Sequence, residues 1–248
     1  MGIGGIKLWL ILRSTYREEW MLGRDAFLKL LRRNQLMLKR RRSRSTTNSN
    51  HRFHKWKNLI KGFTPTAPNQ LWVSDITYID LETGCSYLHL VTDAYSKKIV
   101  GWCLAHSLAA FFSLKALRMA IEQCDEGSLS GLIHHSDRGI QYCCDMYVDE
   151  LQSHGIRISM TEDYKPTDNA IAERVNGIIK NESVYLRKKR FATITEAREH
   201  IGRFIDFYNN RRPHMSLGYQ PPEAVHRQSG EQKRMWKTKN YTKNEVRL

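Results

Sequence analysis

The sequence predicts an α/β domain with a mixed five-stranded sheet and flanking helices, preceded by a small basic helical segment. Three observations lead there. The apolar period switches from helical to strand-like after TPTAPNQ, where Pro65 and Pro68 forbid helix and open a new unit. Three β-rich runs then follow with three residues between each, connections short enough to favour antiparallel turns. Beyond them, helical stretches alternate with short apolar strand-like ones, the pattern of an α/β layer arrangement.

Each element can be argued in turn. Residues 6–13 and the run GRDAFLKLLRRNQ predict two short helices. In the first, Leu8, Leu10, Ile11 and Leu12 suit burial; in the second, Asp25 can cap, while Phe27, Leu28, Leu30 and Leu31 face one side and Arg32 and Arg33 the other. Two helices across a turn with exposed arginines fit a helix-turn-helix-like remnant over 1–38, and equally a plain helical hairpin. KRRRSRSTTNSN carries Lys39, Arg40, Arg41 and Arg42 and then loses all periodicity, so 39–67 reads as a basic linker able to grip phosphate.

LWVSDITYID (71–80), GCSYLHLVTD (84–93) and KKIVGWCLAH (97–106) are the three strands of a meander. A helix follows around 109–124, a short buried strand in GLIHHSD (131–137), a helix in IQYCCDMYVDELQSHG and a fifth strand in RISM. Residues 168–187 predict a helix capped by Asp168, and 194–209 another. The folded domain is thus expected over 68–226, with a basic tail at 227–248.

Charge is segregated. Of the formal +15, residues 1–70 hold 16 Lys/Arg against 3 Asp/Glu and residues 231–248 hold 6 against 2, while 71–230 hold 18 against 20. A nearly neutral core with basic ends points to a polyanionic partner, nucleic acid, gripped by the appendages. Cys85, Cys103, Cys124, Cys143 and Cys144 form no CxxC pair or framework spacing and read as reduced thiols in a cytosolic chain. His51 and His54 lack the cysteine pair a zinc finger needs. LWLILR is far shorter than a membrane span of about 20 residues and is not a convincing signal peptide.

The chemistry is carried by acids in awkward places. Asp75 lies mid-strand on the face of Val73 and Thr77, a costly position unless something cationic meets it. Asp137 ends an apolar strand and is poised to project over the sheet edge. In TDNAIAERVNGIIK, the apolar stripe of Ile171, Val175 and Ile178 turns inward, leaving Glu173, Gly177 and Lys180 together on the other face. Three acids on separate elements can converge on hard divalent cations. Lys180 lies about 10 Å along the axis from Glu173, a spacing suited to a neighbouring phosphate, and Gly177 between them leaves room for a DNA backbone. Arg138, Lys165, Arg211 and Arg212 are further phosphate-contact candidates. His134 or His135 could touch substrate, though a packed histidine is the plainer reading, and Asp93 reads as a turn-fixing residue. The Tyr, Arg and His of YNNRRPH are too tightly clustered for a tyrosine recombinase.

Between Asp137 and Glu173 lie 35 residues. With PNQLWVSDITYI, VTDAYSKKIVGW, HSDRGIQY, DNAIAERVNGIIKNE and YNNRRPHMSLGYQPP in order over 68–222, the chain resembles the DDE transposase and retroviral-integrase superfamily. More closely, it resembles the larger open reading frame product of the insertion-sequence-three family of bacterial transposases. The resemblance implies a ribonuclease-H-like core and Asp75, Asp137 and Glu173 as catalytic metal ligands. It implies Mg²⁺, two ions with Mn²⁺ as a substitute, serving cleavage at transposon ends and strand transfer, and Lys180 as a grip on the element's end. It further implies transposon-end and target DNA as partners, a homo-oligomer on DNA, a cytoplasmic, nucleoid-associated bacterial setting and no membrane. Family members commonly carry more sequence before the GGIKL-like stretch and are fused by frameshift to an upstream helix-turn-helix and zipper protein. A truncated DNA-binding copy and a purely hydrolytic nuclease are the alternatives.

Overall fold

The computed structural model describes residues 3–16, 21–37, 52–125, 129–162 and 169–232. His51, Lys39, Arg40, Arg41, Arg42, Lys165 and Asp168 lie outside the described residues. Strands β1 (Leu71–Leu81), β2 (Gly84–Asp93) and β3 (Ile99–Ala105) form the expected antiparallel meander. Strands β4 (Ile133–Ser136) and β5 (Arg157–Met160) add in parallel, giving the mixed order β3-β2-β1-β4-β5.

The helices before and around the sheet are α1 (Gly5–Thr15), α2 (Arg24–Arg33), α3 (Ala110–Ile121), α4 (Ile140–Cys143), α5 (Asp145–Ser153), α6 (Ala170–Glu182), α7 (Ile194–Asn210) and α8 (Pro222–His226). The sheet is covered on both faces. Trp72 and Val91 pack with Leu114, Leu117 and Leu151 from α3 and α5, whereas Ile79, Leu88 and Leu90 pack with Val175, Ile179, Ile201 and Phe204 from α6 and α7. Gly101 is required where β3 meets α3, because a Cβ there would strike the Ala116 carbonyl oxygen.

Several local expectations change. The helix expected from IQYCCDMYVDELQSHG breaks at Cys144, which is extended (φ −72°, ψ 149°) and separates α4 from α5. Helix α6 begins at Ala170, after Asn169, and ends at Glu182; a 3-10 turn, Val184–Leu186, accounts for the remainder of the expected 168–187 helix. Asp25 does not cap α2: Gly23 occupies that position, and the Asp25 carboxylate accepts from the Arg24 guanidinium. In α2 only Phe27 and Leu31 are buried, and Leu30 is exposed. The apolar run of α1 is half-buried, with Gly5 fitted tightly against Leu28 and Leu31.

Asp93 fixes the turn after β2, accepting from the Ser96 N–H and hydroxyl at 2.7 Å and from the Asn69 N–H at 2.8 Å. Among the described residues no helix is long and apolar enough to cross a membrane, and all five cysteines are free thiols.

Candidate active site

Along the α6-facing side of β1 the residues run Leu71, Val73, Asp75, Thr77, Ile79, Leu81. The acid interrupts an apolar row, and the hydrophobic packing divides there: Leu71 and Val73 belong with Ile133 and Ala172, while Ile79 and Leu81 belong with Val175 and Ile178. Parallel pairing then places the second acid. Leu71 faces Ile133 and Val73 faces His135, so the same register carried two residues on sets Asp137 beside Asp75. Side chains of a strand alternate faces, which puts both carboxylates on one side.

Asp75 is held firmly. Its Oδ1 accepts from the Ile76 N–H at 2.9 Å and its Oδ2 from the Asn176 side-chain amide at 2.6 Å. Burial pushes its carboxyl up to about 7; the charge of Asp137 adds to that, its two hydrogen bonds pull it back, and Glu173 contributes a smaller upward push. Asp137 accepts from the Gly139 N–H at 3.0 Å in a tight turn, where any Cβ on residue 139 would crowd its carboxylate. The Tyr142 hydroxyl is buried without a hydrogen-bond partner, and it is raised well above its ordinary range by burial and then by Asp75 and Asp137.

Glu173 projects from the first turn of α6 and is exposed; burial nonetheless lifts its carboxyl above the ordinary range. Among the described residues no three His, Cys, Asp or Glu side chains stand close enough to hold an ion as they are. The donor chemistry still fits a hard divalent cation: the gathered groups are oxygens, two carboxylates repel one another, and the Tyr142 hydroxyl and Asn176 Oδ1 beside them are unpartnered.

Lys180 is half-buried on α6, held below its ordinary pKa by burial and pulled back up by Asp75 and Asp80. Gly177 opens outward, with only the Asn181 side chain near a hypothetical Cβ. Arg138 follows Asp137 and is half-buried. His134 and His135 are core residues: His134 meets Ser74 Oγ at 2.7 Å and Tyr147 at 2.9 Å, and His135 meets Ser159 Oγ at 2.8 Å. Arg211, exposed after α7, lines a shallow groove with Arg203 and Phe207 on a helix packed against β3, two strands from Asp75.

Arg212 is the clear correction. It is fully buried, its guanidinium forking onto Glu182 at 2.6 and 2.7 Å, so it cannot reach a phosphate. Asn176 and Tyr142, which stand beside the two aspartates, were not singled out from the sequence. Asn176 sits in the buried stripe of α6 beside Val175, and a polar amide in that stripe is the one signal that could have exposed it.

The chain matches two family models, each described as an integrase core domain, over residues 65–166 and 154–222. It is 39% identical over 207 residues to an uncharacterized 31 kDa protein of insertion element IS600 from Shigella sonnei, covering 82% of this chain and 75% of that one. It is 34% identical over 224 residues to a putative transposase of element IS986/IS6110 from Mycobacterium tuberculosis, covering 88% and 79%. Among solved structures, the HTLV-2 integrase catalytic core domain in complex with magnesium aligns with a TM-score of 0.53 at 19% identity, over 66% of this chain and 99% of that one. A simian T-cell lymphotropic virus intasome chain aligns with a TM-score of 0.57 at 18% identity, over 89% and 72%. These two likenesses establish the ribonuclease-H-like integrase-core fold.

Proposed function

The chain belongs to the integrase-core transposases of insertion elements, and from that premise we propose that Asp75, Asp137 and Glu173 are its catalytic carboxylates. The enzyme is a DDE-type transposase of DNA. The observation that carries the site assignment is the meeting of Asp75 and Asp137 on adjacent parallel strands, close enough that the charge of Asp137 raises the Asp75 carboxyl.

The integrase-core family is metal-dependent, and Asp75, Asp137 and Glu173 would hold the metal; we take it to be Mg²⁺, as two ions, with Mn²⁺ able to substitute. Bound metal supplies Lewis-acid stabilisation of charge on the oxygens of an in-line phosphoryl transfer. The protein's own part is positional. Asn176 and the Ile76 N–H orient the Asp75 carboxylate and favour its ionised form. The Asp137 turn fixes the second carboxylate through Gly139. Lys180, with open space at Gly177 on the same helix, is placed to take a phosphate near the scissile one.

Arg138 and Arg211 belong to the same reading as phosphate contacts, as do Lys165 and the linker cations Lys39, Arg40, Arg41 and Arg42. The helical segment 1–38, the linker 39–67 and the tail 227–248 serve the core 68–226 as DNA-gripping appendages. The chain works as an oligomer on transposon-end and target DNA, with an upstream-frame helix-turn-helix and zipper protein as a further partner, in the bacterial cytoplasm at the nucleoid.

A strand-transfer assay with Mg²⁺ and the element's own ends tests the assignment. Joined products are expected from the wild type and lost in Asp137→Asn. Hydrolysis without joining would make the chain a nuclease, and full activity in Glu173→Gln would remove Glu173 from the triad.

A further inference from the structure

Away from the acids, a groove of about 520 Å³ runs between residues 54–59 and the outer edge of the sheet at β5. Trp56 and Ile158 contribute to its apolar floor, and His54, Lys55, Lys57 and Arg157 stand exposed around it. No residue lining the groove is a carboxylate. Among the described residues, none of Lys55, Lys57 or Arg157 makes an ion pair. The His54 and Trp56 rings meet edge to face with centroids 5.0 Å apart.

The groove is also fixed in place. The Leu59 N–H donates to Ser159 Oγ at 2.8 Å, the Asn58 N–H to Glu162 at 3.1 Å, and the Met160 N–H to the Lys57 carbonyl at 3.4 Å. Ser159 Oγ in turn meets His135 Nδ1 at 2.8 Å, two residues before Asp137 on the adjacent strand. The segment bearing the cations is thus tied to the edge strand, while the groove itself opens on the α5 side of the sheet, the face opposite Asp75.

We propose that this groove binds single-stranded DNA, an inference that rests on the DNA-processing reading above. Unpaired cations along a channel suit a phosphate backbone, and an apolar floor with aromatic rings suits exposed bases. A duplex hides its bases and would use the rim alone.

Anisotropy titrations of a labelled oligothymidylate and of a duplex of equal length, across a salt series, test this on the full chain. The variants are K55A/K57A/R157A and H54A, each checked for wild-type circular dichroism. The triple variant is expected to lose about tenfold or more of single-strand affinity and to lower the log–log salt slope by about 2, at roughly 0.7 per phosphate contact. H54A is expected to lose about fivefold through weakened stacking. Duplex affinity should fall less than single-strand affinity in the triple variant and change less than about threefold in H54A. A wild type that ignores the single strand, an unchanged salt slope, or an equal fall on both probes would overturn the proposal. Asp137→Asn separates the two readings: it should bind both probes normally and lose cleavage, and if it cleaves, the catalytic assignment fails while the groove result stands.

Discussion

Helix α6 serves two charged centres built on opposite terms. At its C-terminal end Glu182 is closed in by the Arg212 fork and by Lys7 of α1 at 3.5 Å. Nearer its N-terminal end Asn176 donates to Asp75, whose carboxyl is raised by burial and by the charge of Asp137, with a smaller push from Glu173 in the first turn. The first centre satisfies its own charge and joins α1, α6 and the YNNRRPH stretch. The second is held together against its own repulsion by the surrounding fold. A charge cluster paired within itself is a structural device; carboxylates gathered against their mutual repulsion are typical of functional sites.

That contrast can be broken at the closed centre first. Arg212→Ala strands the Glu182 carboxylate in the interior and should remove about 3–5 kcal/mol of stability. Replacing both partners with leucine should lose less than the sum of the single changes, measured by chemical denaturation.

Next comes His214, whose imidazole is pushed down to about 3 by burial and by neighbouring Arg212, Lys7, Lys97 and Arg174. Because the folded value lies below the unfolded one, its contribution is complete above about pH 6.5 and is lost as pH falls toward 3. At pH 5 the loss should be about 2 kcal/mol. A His214→Gln variant should show a flatter dependence of melting temperature on pH over that window.

The open centre should respond with the opposite sign. Asp75 titrates at about 7 when folded, so in metal-free protein its stabilising contribution is lost as pH rises from about 4 through 7. Asp75→Asn should therefore raise stability by about 1–2 kcal/mol at pH 8 while abolishing strand transfer. A lower melting temperature in that variant would show that the carboxylate, not its repulsion, dominates the pocket. The smallest effect is from metal: Mg²⁺ at tenfold over its dissociation constant should stabilise the wild type by about 1.4 kcal/mol. Asp137→Asn should show no such shift.

The sheet was legible because its signals are local. The alternation in β1 to β3 and the turn residues between them lie within a few positions of one another. The meeting of Asp75 and Asp137 was legible for a related reason: Asp75 breaks an apolar row, and Asp137 sits at a strand tip. Arg212 was misjudged because adjacent arginines look alike in sequence. Arg211 is exposed and Arg212 buried only because Glu182, 30 residues earlier, comes to meet it. Asn176 and Tyr142 escaped for the same reason, since their roles exist only once α6 and α4 have been packed over β1. The break at Cys144 left no mark in the hydrophobic period.

The pairing of β1 with β4 has a kinetic consequence. The meander closes through turns of a few residues, a fast, local process, whereas Asp75 meets Asp137 only after 61 intervening residues, 76 to 136, have been gathered. Glu173 arrives later still along the chain. A nascent or partly folded copy thus holds its first carboxylate on a formed hairpin with nothing opposite it. The proposed carboxylate arrangement is thus a property of the finished topology, completed only by a late, long-range pairing.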